Sequence, residues 1–190
     1  MKKIILLVLL SVGLNSNAQK EKGTVILKDN TKLEGLVKIS SNKIIYKKDK
    51  ASKSINYDYS SALSAEIINK ENITTIFEFV PVEYKKTPLL LRVEIDGFLR
   101  LYSESTSTFN GVSGVGFRSS STYHLKRKKD KFGQYYVAFG YIPKVSFNKV
   151  IEEYFIDCPN LQKKVKKGEL KKNDYAEIVM FYNENCAPEE

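Results

Sequence analysis

Apolar and polar residues alternate from Gly23 to Ile39. Val25, Leu27, Leu33, Leu36 and Ile39 stand among polar neighbours, and Asp29-Asn30 breaks the run with turn chemistry. This pattern predicts a β-hairpin, with Gly35 marking a bulge or a close backbone approach in its second strand. Asn42 to Tyr46 predicts a short third strand, followed by a charged loop, Lys47 to Ser54, that carries Lys47, Lys48, Lys50 and Lys53. Tyr57 to Ile68 fits strand and helix equally well, and its pattern leaves the choice open. Ile73 to Val82 contains Thr74, Ile76, Phe77, Phe79 and Val80, a β-branched and aromatic run that Pro81 ends. Leu89 to Tyr102 reads as a hairpin around Asp96-Gly97, whose chemistry favours a type I′ turn with positive φ at both central residues. A further hairpin pairs Thr122 to Lys126 with Tyr135 to Tyr141 across a basic turn. Between the two hairpins, Ser103 to Ser121 is rich in Ser, Thr and Gly and reads as a long mobile loop.

After Pro143 the period changes. Phe147, Val150, Ile151, Tyr154 and Phe155 recur at helical spacing, with Ser146 placed to cap them. Asp157-Cys158-Pro159 ends that helix and starts a second, in which Asp157 is the expected cap, Pro159 lies in the first turn and Gly168 ends the helix. Asp174 and Glu177 give a third helix a capping-box-like start, and Tyr175, Ile178, Val179 and Tyr182 line its apolar face. No internal repeat is present in this reading. The expected fold is therefore α+β: an antiparallel β domain over 19–145, as a curled sheet or open barrel, followed by a helical tail over 146–190.

The beginning of the chain changes the compartment. Lys2 and Lys3 precede the apolar run Ile4 to Leu14, and Ser16 and Ala18 sit at the −3 and −1 positions of a signal-peptidase site. That run is shorter than the roughly 20 apolar residues a membrane-spanning helix requires. Residues 1–18 are expected to be a secretory signal peptide, leaving a mature chain without an integral membrane segment, in the periplasm or at the cell surface. The two cysteines, Cys158 and Cys186, then read as a disulfide, because an isolated pair is oxidised outside the cytoplasm. A metal pair or a nucleophilic cysteine would need partners, and with one histidine in the chain a two-Cys, two-His zinc site is ruled out.

The segment Asp157-Cys158-Pro159-Asn160-Leu161, with Tyr182-Asn183 and Cys186 at the end, resembles the tail of small exported proteins of Bacteroidota-type bacteria. The opening hairpin, with Asp29-Asn30 in its turn and Gly35 beyond, and the Leu89 to Tyr102 hairpin are similar to the front of those chains. The resemblance implies export and this architecture. Such families mostly lack an assigned activity, so it implies no catalytic residue.

Candidate chemistry is sparse. Gly111-Val112-Ser113-Gly114-Val115 lacks the last glycine of a nucleophile elbow, and Arg118 stands where a phosphate-binding loop needs its Lys-Ser/Thr pair. His124 could act as a general base only with an orienting acid and a nucleophile nearby, and the cations beside it favour its neutral form. Glu152 and Glu153 flank a helix face rather than converge as a glycosidase pair would. Asn72-Ile73-Thr74 matches a glycosylation acceptor by chance in a bacterial-type exported chain.

Charge is the remaining signal. A formal net charge of +9, twelve Tyr, ten Phe and no Trp describe a basic, aromatic-bearing, β-suited chain. Lys126, Arg127, Lys128, Lys129 and Lys131 cluster in one hairpin turn. Lys163, Lys164, Lys166, Lys167, Lys171 and Lys172 cluster around the second helix. Were these groups and the Lys47–Lys53 loop to share a face, they would bind lipopolysaccharide, acidic glycan or nucleic acid. The alternative is plain solubility, since hairpin tips and outer helix faces are where lysines belong. The sequence names no reaction and calls for no cofactor. It favours an exported, non-catalytic binding or scaffolding module whose partner is an envelope protein or an anionic polymer. An electrostatic binder of anionic polymers and a hydrolase with a dispersed site are the alternatives.

Overall fold

A computed structural model describes residues 20–109, 117–139 and 145–188. The expected signal segment and the Gly111–Val115 stretch lie outside them. The described strands are β1 (Glu21–Leu27), β2 (Lys32–Ser40), β3 (Lys43–Lys47), β4 (Ile55–Tyr57), β5 (Ala62–Ile68), β6 (Thr74–Val80), β7 (Leu89–Ile95), β8 (Leu99–Phe109), β9 (Phe117–Arg127) and β10 (Gln134–Phe139). They form one open antiparallel sheet in the order β10-β9-β8-β7-β6-β5-β1-β2-β3-β4. The first four strands meander outward, and β5 then returns to pair with β1, so that Val25 stands opposite both Leu33 and Ala65. Tyr57 to Ile68 resolves into the end of β4 and the whole of β5, where alternation buries Ala65 and Ile67 and a register shift against β1 lets Ala62 be buried as well.

The sheet curls over its own core. Val25, Val37, Ile44, Tyr46, Ala65 and Leu90 are buried together on the concave face. Asn42, in the turn between β2 and β3, reaches across to β7. Its amide donates to the Pro88 carbonyl at 2.8 Å and its oxygen accepts from the Leu90 N–H. Gly35 is where the backbones come close, as its lack of a side chain suggested: a Cβ there would lie 2.3 Å from the Lys47 carbonyl oxygen.

Two strand expectations are corrected. Ser103 to Ser121 is not one long loop, because β8 and β9 run on in register from Leu99↔Arg127 to Phe109↔Phe117. Ser and Thr satisfy a ladder as readily as a loop, and Thr favours the pleated conformation. The turn at Asp96-Gly97 is not type I′, since Asp96 is absent from the positive-φ residues and Gly97 has φ 158°. A tertiary contact overrides the local preference here. Asn183 donates to the Leu99 carbonyl at 2.9 Å and accepts from the Leu99 N–H at 2.8 Å. A Cβ on Gly97 would lie 2.6 Å from the Asn183 amide nitrogen, so glycine is needed to admit it.

Three helices cover the β8–β10 end of the same face: α1 (Phe147–Tyr154), α2 (Pro159–Lys166) and α3 (Tyr175–Asn185). The Ser146 hydroxyl accepts from the Lys149 N–H and caps α1, Pro159 opens α2, and Gly168 follows α2 at φ 75°. Leu99, Leu101, Leu125 and Val137 from the sheet bury Ile151, Phe155, Leu161, Ile178, Val179 and Tyr182 from the helices. The β8–β10 end of the sheet and the helical tail thus share a core distinct from the Val25 cluster. A disulfide joins Cys158 to Cys186 with a Cα–Cα distance of 5.6 Å, tying the start of α2 to the end of α3. Such a bond belongs to an oxidising compartment. Among the described residues no helix is long and apolar enough to cross a membrane.

Two capping expectations fail for one reason each. Asp174 accepts from the Lys171 N–H at 2.7 Å, closing the 3-10 turn Lys172–Asp174 rather than capping α3 with Glu177. Asp157 does not cap α2 because its carboxylate is taken by β9 and α3: it accepts from Arg127 Nη2 at 3.1 Å and from the Tyr182 hydroxyl at 2.7 Å. The Arg127 guanidinium lies 4.2 Å over the Tyr154 ring and also donates to the Tyr154 carbonyl at 2.8 Å. The Tyr154 hydroxyl donates to Asp130 at 2.7 Å. One sheet arginine therefore fixes the corner where α1 meets α2 and the end of α3.

Burial, and then the hydrogen bonds to Asp130 and Asp157, push the phenols of Tyr154 and Tyr182 above their ordinary range. A phenol with a raised folded pKa stabilises the fold fully below the unfolded value near 10, and that contribution is lost as pH climbs toward the folded value. Urea midpoints are accordingly expected to be level between pH 8 and 9.5 and to fall steadily above about pH 10. The phenolate signals of Tyr154 and Tyr182, resolved by tyrosine-ring NMR, should appear together with unfolding rather than before it.

Candidate binding surface

The connection between β6 and β7 carries more than a turn. It crosses the convex face of the sheet as a strap, Pro81 to Pro88, and is pinned to the β9–β10 turn. Gly133 N–H donates to the Pro81 carbonyl at 2.7 Å, and Glu83 N–H donates to the Gly133 carbonyl at 3.2 Å. Val82 forms a parallel bridge with Gly133 and is buried with Val80, Leu91 and Tyr102 beneath the strap. This apolar anchor holds the strap down, so its tip is fixed in place.

At the tip, Tyr84 adopts φ 64° and is 93% exposed. A bulky residue in the left-handed region is strained by about 1–3 kcal/mol, and such strain persists only where its surroundings impose it. Lys85 and Lys86 follow, both exposed. Across the pin, one residue before Gly133, Phe132 is also exposed, with the Lys131 ammonium 5.3 Å from its ring centroid. Lys128 and Lys129 are exposed in the same turn. Two aromatic rings and five lysines thus share two loops held together by main-chain hydrogen bonds. Beside them, Lys126 and Lys128 line a cavity of about 310 Å³ with Arg100, Tyr102 and Glu78. Arg100 is held there by Glu78 at 2.8 Å and Asp96 at 2.6 Å.

The expected lysine groups do not converge. The β9–β10 turn lies beside Gln134, whereas Lys172 donates to the Ala138 carbonyl at 2.8 Å, near the other end of β10. Lys164 and Lys167 pair with Glu169 at 3.2 and 3.7 Å, and Lys163 and Lys166 line an open groove between α1 and α2 with Glu152 and Ile151. Lys48, Lys50 and Lys53 flank β4, the three-residue strand at the far edge of the sheet. A short edge strand surrounded by lysines is how natural sheets resist edge-to-edge pairing. Arg127 leaves the candidate set altogether, since it is buried and faces the helices instead of solvent. Sequence reading passed over Tyr84, Lys85, Lys86 and Phe132. The available signal was a basic, aromatic segment bracketed by Pro81 and Pro88.

His124 is 4% exposed on the convex face, with its Nε2 3.9 Å from Glu104 Oε2 and its ring edge-on to Tyr135. The imidazole outweighs burial and holds the Glu104 carboxyl below the usual carboxylate range. Glu152 and Glu153 are exposed on α1, and Glu153 pairs with Lys149 at 3.6 Å. Among the described residues no group of three or more His, Cys, Asp or Glu is placed to hold a metal ion. The chain matches no family model, no curated protein and no solved structure.

Proposed function

We propose that the mature chain is an exported, non-catalytic binding module that contacts an anionic partner through the strap and the β9–β10 turn. The observation that carries this reading is Tyr84, held outward at a strained φ by a strap whose base is buried and hydrogen-bonded. That conformation belongs to a turn in which the Lys85 N–H donates to the Val82 carbonyl at 3.1 Å, and it leaves the ring exposed at the tip. The lysines around it supply the charge that draws an anionic partner and sets its salt dependence. Export is supported by the Lys2-Lys3, Ile4–Leu14 and Ala18 pattern together with the disulfide. Likeness of the tail to exported Bacteroidota-type proteins agrees with this.

The test is retention of the disulfide-intact mature protein on immobilised heparin across a salt gradient. Retention at 50 mM salt that is lost by a few hundred millimolar is expected. Flow-through at the lowest salt would remove the anionic partner and leave an uncharged protein surface as the alternative.

A further inference from the structure

We infer that the anionic partner is a membrane surface, on which the strap and the β9–β10 turn dock edge-on. This rests on the binding reading above and specifies its partner. Beyond the cavity lined by Lys126, Lys128 and Arg100, the contact surface presents two aromatics on neighbouring loops: Tyr84 stands 93% exposed at one tip, and Phe132 is 39% exposed in the other. A nucleic-acid strand is bound along a basic groove that tracks its backbone. A fully exposed tyrosine beside a second exposed aromatic fits a flat, penetrable surface better, because tyrosine settles at the boundary between headgroups and acyl chains.

The charge chemistry agrees. Lys85, Lys86, Lys129 and Lys131 are exposed in the same two loops as the aromatics, and the exposed cations of these loops are lysines. Lysine is a compact point charge that does not demand the bidentate geometry of an arginine fork. A mobile layer of anionic headgroups offers diffuse charge of that kind, and each lysine close to it strengthens binding about fivefold. The hydrogen bonds of Glu83 and Pro81 to Gly133 join the backbones of the two loops, so binding need not order them first.

The experiment compares the mature protein with a Tyr84→Asn variant. Asparagine tolerates the left-handed backbone, so the strap keeps its shape while the ring is lost. Circular dichroism and the urea midpoint confirm an unchanged fold. Partitioning is measured by sedimentation with phosphatidylglycerol-containing vesicles, with pure phosphatidylcholine vesicles, and with the first set in excess inorganic phosphate. Heparin retention is measured in parallel. Expected are binding to the anionic vesicles alone, little competition by phosphate, and about a tenfold loss of vesicle binding for Tyr84→Asn. Heparin retention without vesicle binding would overturn the membrane as partner and leave the binding reading standing, with a soluble polymer in its place. Vesicle binding that Tyr84→Asn does not weaken, or that free phosphate abolishes, would also overturn the inference. Failure on both heparin and vesicles would overturn the binding reading as well.

Discussion

Replacing Cys158 and Cys186 by alanine is expected to lower stability by about 3.5 kcal/mol in the chain-entropy account of a loop closed across this separation. Domains of this kind are stable by roughly 5–15 kcal/mol, so the loss removes a large part of the total. At an m-value of about 2 kcal/mol per molar, the urea midpoint should fall by roughly 2 M. The effect should be specific in place as well as large. The bond closes α2 and α3 into one unit, and Cys158 is fully buried against the helix core. Hydrogen exchange in the alanine variant should therefore quicken first in α2 and α3, while β1, β2 and β5 keep their protection at low denaturant. A uniform increase across the sheet would show that the tail and the β1–β5 core unfold as one unit.

The second large effect is at Arg127. Truncation to alanine removes the cation that reaches the Tyr182 hydroxyl at 3.1 Å, the Tyr154 carbonyl at 2.8 Å and Asp157 at 3.1 Å. It also empties the space over the Tyr154 ring. Breaking a buried pair by deleting one partner costs about 3–5 kcal/mol. Because Asp157 is half exposed and can regain water, the lower end of that range, about 3 kcal/mol, is expected. Arg127→Met refills the volume without the charge and should recover part of the loss. In a double-mutant cycle with Asp157→Asn, the coupling energy should be smaller than the loss from Arg127→Ala, since the two tyrosines share the arginine. A methionine variant as weak as the alanine variant would make the charge, rather than the packing, the dominant contribution.

Legibility in the sequence followed the range of each interaction. Asp29-Asn30, Ser146, Pro159 and Gly168 act within a few residues of themselves, and each sits where its local chemistry placed it. The cysteine pair was legible because the chain offers no other partners. Long-range choices were not. Nothing near Ala62 announces that β5 will bypass β4 and pair with β1. Asp157 carries the signature of a helix cap, and only the folded chain brings Arg127 to it. The same holds for Asp96-Gly97, where Asn183, far along the chain, sets the turn. At the candidate surface, counting lysines found Lys126, Lys128 and Lys129 but also Arg127, which looks inward. Tyr84 and Lys85 were missed because a loop residue gains meaning only from the pin to Gly133.

The central claim is that the strap and the β9–β10 turn form the contact surface, with the helix lysines serving solubility. Its most direct test compares two charge-matched variants on immobilised heparin: Lys85→Ser, Lys86→Ser, Lys129→Ser against Lys163→Ser, Lys166→Ser, Lys171→Ser. Each removes three positive charges, so any difference reports position instead of net charge. The account predicts that the first variant elutes at markedly lower salt while the second stays near the parent. Equal shifts, or a larger shift for the helix variant, would contradict it.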